Sequence, residues 1–412
     1  MNGPDSRRPR LDRATADIRR AVRAALLDDP GDARYVVGVS GGADSLALAA
    51  ACAFLQRGGV PGDGRRRAHS GGVPGTGRRQ AQRTGAARFV AVTVDHGMQA
   101  GSEAVARRVG EVLEPLGLDH RVVPVTVDPQ DPAGPEAAAR NARYRALVAV
   151  AREVGARTVL LAHTLDDQAE TVLLGLARGA GVRSLAGMAP RRPAEVDGGT
   201  GAAPGGSVDL VRPLLGLRRE DTRASCTAQG LDVWDDPMND DPTYARVRVR
   251  NTVLPTLEAE LGPGIAQALA RTADQAAADS VYLETEAVRE WHALESELRR
   301  PSELQCSSEA QHPSELQGAS AAGEGDVLLV PAGTARLPEA LRWRIVRDRL
   351  RLCVGTAEEV GHGHVRAVDD LLVGARDGAV SVPGGARVRR RDDGGLLYHR
   401  VSGGRDARVR AE

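Results

Sequence analysis

The first half of the sequence predicts an α/β fold, doubly wound around a mostly parallel sheet. Short apolar segments rich in β-branched residues alternate there with segments of helical periodicity. The apolar segments span residues 34–40, 88–94, 120–127, 157–162 and 208–213. Strands that are apolar on both faces and alternate with helices form parallel sheets covered on both sides.

The predicted helices of this half lie between the strands. The clearest helical patterns span residues 45–55, 102–116 and 136–154. Beyond residue 220 the pattern changes to helices alone, at 219–230 and about 252–300. A compact segment at 326–400 then combines a strand, two helices and a hairpin, which predicts a small α+β domain after the helical region.

Two stretches lack apolar periodicity. Residues 56–87 contain GGVPGDGRR and GGVPGTGRR, and residues 301–317 contain PSELQ twice. Such compositions bury too little apolar surface to offset the entropy of ordering the chain. We expect 56–87 to be a disordered insertion, either a repeat expansion or an RNA-binding arginine arm, and 301–325 to be a low-complexity linker.

The charge and cysteine content exclude several kinds of chemistry. All 55 basic residues are arginine, and 55 acidic residues balance them to a net charge of +0. A chain without lysine has no Schiff-base lysine and no Walker-type loop, and it needs local basic patches to bind nucleic acid. Its four cysteines lie far apart, which argues against a zinc ribbon, an iron–sulfur cluster or a vicinal redox pair.

Hydropathy gives no sign of a membrane or secretory segment. No apolar stretch approaches the length of a membrane span, and the basic N-terminus lacks the apolar core of a signal peptide. We therefore expect a cytoplasmic protein that does not contact membranes.

A turn with two glycines follows the first predicted strand, in the stretch VVGVSGGADSLALAA. Gly41 and Gly42 allow close approach of the backbone, and free N–H groups at the start of the next helix attract an anion. Asp44 would repel a phosphate there unless Mg²⁺ bridges its carboxylate and the phosphate oxygens. The predicted phosphate-binding residues are Ser40, Gly41, Gly42, Ala43, Asp44 and Ser45, with Asp44 as the metal ligand.

The motif S-G-G-x-D-S resembles the PP-loop of the N-type ATP pyrophosphatases, which cleave ATP between its α and β phosphates. Further stretches resemble the tRNA(Ile)-lysidine synthetases: VDHGM at 94–98, EAAARNARYRAL at 136–147, AHTLDDQAETVLLGLARGAGVRSLAGM at 162–188, RPLLGLRRED at 212–221 and WDDPMNDDPTYARVRVRNTVLP at 234–255. These motifs cover most of residues 34–260, and the C-terminal segment resembles the substrate-binding domain of that family more loosely.

The resemblance implies a reaction that uses ATP, L-lysine and a tRNA(Ile) with the anticodon CAU. ATP adenylates the C2 oxygen of the cytidine at the first anticodon position, and the lysine ε-amine then attacks C2 and expels AMP. The product, lysidine, pairs with A rather than G, so the tRNA becomes isoleucine-accepting. The resemblance implies Mg²⁺ as a cofactor and either a monomer or a homodimer.

The resemblance also implies roles for individual residues. The expected catalytic residues are Asp44, Asp167 and Arg140, and those expected to bind lysine or the base are His163, Glu170, Asp95 and His96. Asp167 and Glu170 share one face of a helix start, and paired carboxylates suit a lysine ammonium. A carboxylate or His163 would accept the proton that the ammonium loses. Acids in a first helical turn also complement the helix dipole, which is the interpretation we favour for Asp166.

Arginines provide the expected contacts to phosphate. Arg140 and Arg143 lie on one helical face and would neutralise departing pyrophosphate, although a surface ion pair is an equal alternative for Arg143. The expected tRNA-binding residues are Arg246, Arg250, Arg387, Arg389 and Arg390. Val247 departs from the family pattern, which has Asn after Arg, and this leaves the role of position 247 open.

These assignments divide the chain into successive domains. We expect an N-terminal helix and extension at 1–33, a PP-loop ATP-binding catalytic domain at 34–220, a helical linker or substrate-binding domain at 221–300, the linker at 301–325 and a tRNA-binding domain at 326–404. Another PP-loop enzyme is the main alternative, but tRNA thiolases need catalytic cysteines and amidotransferases need a glutaminase domain. A non-catalytic nucleotide- or tRNA-binding protein is a second alternative, although it would have little use for several acids around a polyanion.

Overall fold

The computed structural model describes residues 11–27, 29, 33–58, 87–97, 102–127, 134–179, 181–194, 207–236, 240–299, 327–354 and 360–400. Most of the predicted insertion at 56–87 and all of the predicted linker at 301–325 lie outside these residues. The chain divides into two compact units, Met1–Ala277 and Ala278–Glu412, each of which is described by itself. Among the described helices, none is long and apolar enough to cross a membrane.

The first unit is built on a six-stranded sheet. Its strands are β1 (Arg34–Gly38), β2 (Arg88–Asp95), β3 (Asp119–Pro124), β4 (Thr158–Leu160), β5 (Arg191–Pro193) and β6 (Asp209–Val211). They lie in the order β3-β2-β1-β4-β6-β5 and are parallel except for the edge strand β5, which is antiparallel to β6. The predicted doubly wound, mostly parallel sheet is confirmed. The sequence did not indicate β5, because this short strand lies in a stretch without alternating apolar residues.

Helices cover both faces of the sheet. In chain order they are α1 (Arg13–Ala25), α2 (Ala43–Gly58), α3 (Ser102–Leu113), α4 (Pro135–Val154), α5 (Leu165–Ala177), α6 (Val182–Leu185) and α7 (Arg219–Ala228). Val37 of β1 belongs to the core formed with α1, α2, α3 and α7, whereas Val36 belongs to the core formed with α4. Because successive strand residues point to opposite faces, a strand covered on both sides must be apolar throughout.

The strand order reverses between β1 and β4. The chain proceeds from β1 outward to β2 and β3, and then returns through α4 to β4 on the other side of β1. The carboxyl ends of β1 and β4 are therefore neighbours at a topological switch point, where open α/β sheets bind their ligands. Ser40 follows β1 and His163 follows β4, so the topology brings these two segments together.

A helical region follows α7. It contains α8 (Ala245–Arg248), a π-helical turn (Val249–Val253), α9 (Leu254–Leu261) and α10 (Ile265–Arg299). The helical segment predicted at about 252–300 is divided at Gly262 and Gly264, whose φ angles are 94° and 99°. A helix cannot continue through residues with such positive φ values, so α9 ends and α10 begins there.

The second unit contains a small antiparallel sheet packed against two helices. Its elements are β7 (Val327–Val330), α11 (Glu339–Val354), α12 (His362–Leu372), β8 (Ala379–Val382), β9 (Ala386–Arg390) and β10 (Leu396–Arg400), with the strands in the order β7-β10-β9-β8. Val346, Leu350, Leu372 and Leu396 lie in its core and are fully buried. The predicted small α+β C-terminal region is confirmed, while the finer domain boundaries stay predictions.

Candidate active site

The glycine turn after β1 is held in one shape by its own side chains. Ser45 Oγ accepts a hydrogen bond from the Ser40 N–H at 3.1 Å and donates one to the Gly42 carbonyl at 2.9 Å. Gly41 has φ 89°, and a Cβ at this position would lie 2.9 Å from Val109 Cγ2. Only glycine fits there without displacing α3. The turn therefore presents the first N–H groups of α2 to a ligand at the switch point.

Asp44 lies in the first turn of α2 and is tied to α7. It accepts a short hydrogen bond from Thr222 Oγ1, and the Arg219 Nε lies 3.5 Å from its Oδ2. Burial raises the pKa of Asp44; the Thr222 hydrogen bond and the Arg219 charge oppose this rise, and the Asp167 charge adds to it. Asp44 is thus a carboxylate whose negative charge a further cation would stabilise.

Asp167 caps the start of α5 and also faces the switch point. Its Oδ2 accepts from the Thr164 N–H at 2.8 Å and from the Thr164 hydroxyl at 3.0 Å. Its Oδ1 accepts from Arg219 Nη2 at 2.9 Å. Burial opposes ionisation of this carboxyl, but the charges of Arg219 and Arg250 and the capping hydrogen bond from Thr164 outweigh burial and lower its pKa. Asp167 is therefore held ionised and in a fixed orientation.

Glu170 lies one turn further along α5 and is 0% exposed. Arg250 donates to it from Nε at 2.7 Å and from Nη2 at 3.1 Å. Arg219 Nη2 lies 3.3 Å from the same carboxylate, and Arg246 Nε lies 4.0 Å from it. We refer to Asp44, Asp167 and Glu170 as the acidic cluster. In this structure three arginines neutralise it: Arg219, Arg246 and Arg250.

Arg246 and Arg250, two of the predicted tRNA-binding residues, thus lie beside the acids of α5. Arg250 belongs to the π-helical turn, and such turns often occur at functional sites. Their contact with tRNA stays a prediction. The other expected tRNA-binding residues, Arg387, Arg389 and Arg390, lie on β9 of the second unit, where their side chains are exposed.

His163 lies immediately before α5, beside the acidic cluster. Burial lowers its pKa to about 3; Asp167 opposes this shift, and the charges of Arg212, Arg143 and Arg246 add to it. Its Nδ1 is buried and has no hydrogen-bond partner among the described residues. His163 is therefore a neutral imidazole with a free ring nitrogen at the end of β4.

Asp95 and His96 lie at the carboxyl end of β2, as the sequence predicts. Asp95 Oδ1 accepts from the Gly97 N–H at 2.9 Å. Burial and the charge of Arg143 lower the pKa of His96, while Asp95 opposes this shift. His96 thus lies near Arg143, and Arg143 in turn lies near His163. The structure brings these predicted residues to one edge of the sheet, and their roles toward lysine or the base stay predictions.

A second group of cations surrounds Tyr144 on α4. The guanidinium carbons of Arg143 and Arg192 lie 5.7 Å and 5.9 Å from the centre of its ring. Burial raises the pKa of the Tyr144 hydroxyl, but the charges of Arg143, Arg212 and Arg140 outweigh burial and lower it. We refer to Tyr144, Arg143, Arg192 and Arg212 as the Tyr144 cluster. Arg140 lies close enough to contribute its charge, and its catalytic role stays a prediction.

The sequence did not indicate Arg219, Thr222 or Arg212 as site residues, although Arg212 and Arg219 lie in the motif at 212–221. Arg219 is the first residue of α7, where a positive charge opposes the helix dipole. A cation in that unfavourable position was the available signal that an acidic partner lies nearby. Nothing in the sequence indicated that Thr222 contacts Asp44, because 178 residues separate them.

Comparisons with known proteins agree with this geometry. A family profile described as "PP-loop domain" matches residues 15–257. The chain is 43% identical over 378 residues to a tRNA(Ile)-lysidine synthase of Salinispora tropica, covering 91% of this chain and 94% of that protein. It is 39% identical to the Streptomyces coelicolor protein of the same name, covering 89% and 84% of the two chains. For the Mycobacterium tuberculosis protein of that name the identity is 38%, covering 89% and 91%.

The profile covers more than half of the chain, and each of these relatives aligns with about nine-tenths of it. The PP-loop domain and the switch-point residues of the first unit lie within the matched region. The chain is a PP-loop enzyme, and it belongs to the tRNA(Ile)-lysidine synthase family.

Proposed function

We propose that this chain attaches L-lysine to C2 of the first-anticodon cytidine of tRNA(Ile) reading CAU, with cleavage of ATP to AMP and pyrophosphate. The observation that carries the proposal is the acidic cluster beside the PP-loop, in a chain 38–43% identical to enzymes named for lysidine synthesis. A lysine ammonium needs negative groups of the protein, and an ATP phosphate needs positive or N–H groups close to them. The junction of α2 and α5 supplies both.

ATP binds first at the glycine turn. The free N–H groups at the start of α2 hold the phosphates, and Gly41 allows the backbone to approach them. Phosphate bound there places the α-phosphorus at the switch point, where the cytidine C2 oxygen attacks it and pyrophosphate leaves. Arg140 offsets the negative charge that develops on the pyrophosphate.

Asp44 is the proposed ligand of Mg²⁺. Its carboxylate is a hard oxygen donor, and its raised pKa reflects a buried negative charge that a metal ion would stabilise. The described residues contain no group of three or more His, Cys, Asp or Glu side chains able to hold a metal by themselves. When bound, the ion would neutralise negative charge on the phosphates.

Lysine then binds with its side chain toward Asp167 and Glu170. Its ammonium must compete with Arg219 and Arg250 for these oxygens, so we expect the arginines to move when the substrate enters. The ammonium loses a proton to a carboxylate before the amine attacks C2. Because its pKa is about 3, His163 is a weak base, and it suits a hydrogen-bond acceptor that orients the amine.

The direct test is incubation of the protein with ATP, Mg²⁺, labelled L-lysine and a tRNA(Ile) transcript with the anticodon CAU. We expect label in the tRNA and one AMP released per lysine incorporated. We expect Asp44→Ala to abolish incorporation. The matched control is Asp235→Ala, at an exposed acid on a loop of the same unit, which should retain incorporation. No incorporation by the wild-type protein under any condition would refute the proposal.

A thiolase is the alternative with the closest chemistry, and the described cysteines do not favour it. Burial raises the pKa of Cys52, and burial together with the charge of Asp44 raises that of Cys226 to about 11. Thiols in that state are poor nucleophiles. We further propose a cytoplasmic location and a monomer or homodimer.

A further inference from the structure

The Tyr144 cluster combines three arginines, and no carboxylate is among the largest charge effects on the pKa of Arg143 or of Arg212. The largest charge effects on the pKa of Arg143 come, after burial, from Tyr144, Arg140 and Arg246. Those on Arg212 come, after burial, from Tyr144, Arg192 and Arg140. In both cases the net shift of the pKa is downward. The acidic cluster is different, because each of its acids contacts a guanidinium.

The donors of this cluster are also incompletely used. Arg212 is only 4% exposed, and its Nη1 donates to the Ala189 carbonyl at 2.8 Å. The Nε atoms of Arg143 and Arg212 are buried and have no hydrogen-bond partner within the described ranges. Buried donors in proteins are nearly always paired, and a buried guanidinium without an anion is unfavourable. Both observations point to an oxyanion as the missing partner.

The position of the cluster identifies the source of that oxyanion. In addition to burial, the charges of Arg212 and Arg143 lower the pKa of His163, and the charge of Asp167 opposes this shift. A cationic region and an acidic region therefore adjoin the same imidazole. Free lysine has the matching form, with an ammonium at the end of its side chain and a carboxylate at its α-carbon.

Other anions of the reaction fit this place less well. The ATP phosphates have their own position at the start of α2. A phosphodiester of an RNA strand lies on an exposed backbone and would need an exposed partner, whereas Arg212 is almost fully buried. A small amino acid can enter a buried position that a folded RNA cannot.

We propose that Arg143, Arg212 and the Tyr144 hydroxyl bind the α-carboxylate of the lysine substrate, while its side-chain amine reaches toward Asp167. This inference rests on the proposed function and adds to it the means by which the free amino acid is selected. The site distinguishes lysine from diamines of the same length, because only lysine carries the carboxylate.

The test compares lysine with 1,5-diaminopentane, which is lysine without its carboxylate. We expect the wild-type protein to use lysine at least about 100-fold better in kcat/KM, since a site built to bind a polar group discriminates strongly against an analogue lacking it. We expect Arg212→Gln to raise the KM for lysine by at least about 10-fold and to leave the diamine, ATP and tRNA parameters within about 2-fold. Arg178→Gln, at an exposed position after α5, is the matched control and should change none of them.

A second variant with a smaller structural change tests the site in case Arg212→Gln does not fold. Tyr144→Phe removes one hydroxyl from the cluster and should raise the lysine KM a few-fold, with no effect on the diamine. Equal losses for lysine and the diamine, or a raised KM for tRNA alone, would overturn the assignment; the second result would identify the anion as an RNA phosphate.

Direct binding separates this inference from the proposed function. Calorimetric titration with lysine and with the diamine, in the presence of ATP and Mg²⁺, measures the carboxylate site even if no lysidine forms. Weaker lysine binding by Arg212→Gln, with wild-type catalysis absent, would support the site and refute the reaction. Lysine binding that Arg212→Gln and Tyr144→Phe leave unchanged, or no lysine binding by the wild-type protein, would refute the site.

Discussion

Asp369 in the second unit and Glu170 in the first are both buried carboxylates bound by arginine, but their surroundings differ. Asp369 receives Arg342 through Nε and Nη2 at 2.7 Å and 2.8 Å, and Trp343 Nε1 at 2.9 Å. The third nitrogen of Arg342 donates to the Leu337 carbonyl at 2.9 Å. Asp369 and Arg342 thus form a bidentate pair whose remaining polar groups bond to Trp343 and Leu337, as in a structural ion pair.

Glu170 shares its arginines with other acids. Arg219 contacts Asp44, Asp167 and Glu170, and Arg250 contacts both Asp167 and Glu170. Beside this network lie His163, Arg143 and Arg212, each with a buried nitrogen that has no partner among the described residues. In a network whose arginines are shared and whose nitrogens are partly unused, substrate groups can replace some of the existing contacts. At Asp369 every contact is already made, so a new ligand would have to break one. The difference separates a binding site from a structural contact made of the same residues.

The largest expected effect is on activity and tests the functional side of this comparison. Asp167→Asn keeps the shape of the side chain but removes the charge that faces Arg219 and the lysine ammonium. We expect lysidine formation to fall by about 10²-fold or more, the usual loss when one preorganised electrostatic group is removed. Asp369→Asn should retain wild-type kcat at a temperature where it is folded. Equal losses in the two variants, measured by lysine incorporation, would contradict the distinction.

The next effect is on stability and tests the structural side. Asp369→Ala leaves Arg342 and the Trp343 N–H without their acceptor in a buried position, and we expect a cost of about 3 kcal/mol in unfolding free energy. Denaturant unfolding, followed by the fluorescence of the tryptophans in the second unit, would measure it. Asp377→Ala, at an exposed position of the same unit, should stay within about 0.5 kcal/mol of wild type.

A smaller effect concerns acid stability at His163. Its folded-state pKa of about 3 lies below the unfolded value, so the unfolded chain binds more protons as the pH falls below about 6.5. Stability is therefore lost as the pH falls from about 6.5 toward 3. Between pH 6.5 and 5.5 this group should contribute about 1 kcal/mol of the loss, and His163→Asn should lack that contribution. Denaturant unfolding at pH 6.5 and 5.5 measures the unfolding free energy of both proteins. An equal loss of unfolding free energy in the wild type and in His163→Asn would contradict the prediction.

The smallest effect concerns the hydrogen bond between Thr222 and Asp44. Thr222→Val removes a donor that lowers the pKa of Asp44, so the acid limb of the kcat/KM profile should move to higher pH. At neutral pH we expect only a few-fold loss. Thr227→Val, at an exposed position of the same helix, is the control and should leave the profile in place. An unchanged acid limb in Thr222→Val would show that Asp44 does not govern that limb.

Much of the first unit could be predicted because local rules determine it. The apolar runs gave four of the parallel strands to within about two residues, since a strand covered on both faces needs a continuous apolar segment. The positions of Ser40, Gly41 and Asp44 at a strand-to-helix turn follow from the same alternation. The break at Gly262 and Gly264 was also readable in principle, because two glycines around a proline rarely continue a helix.

The pairing of charges could not be predicted in the same way. Arg219, Arg246 and Arg250 reach Glu170 from segments that are 49 or more residues away in sequence. Periodicity places each arginine on a helix but does not say which acid it will meet. The buried nitrogens of the Tyr144 cluster could not be predicted for the same reason. Whether a side-chain nitrogen has a hydrogen-bond partner depends on every segment that the fold brings near it.

The end of the sheet at which the parallel strands begin lies opposite the site and offers a position for engineering. α2 ends at Gly58 and the described chain resumes at Ala87, beside the amino end of β1, where the Arg88 N–H donates to the Ala33 carbonyl. This end lies about 15 Å from the glycine turn, the length of the five-residue β1. Each doubling of the length of a flexible segment between two fixed points costs only about 0.6 kcal/mol. A fluorescent reporter or affinity handle can therefore be genetically inserted between residues 58 and 87 and still leave turnover available as its readout.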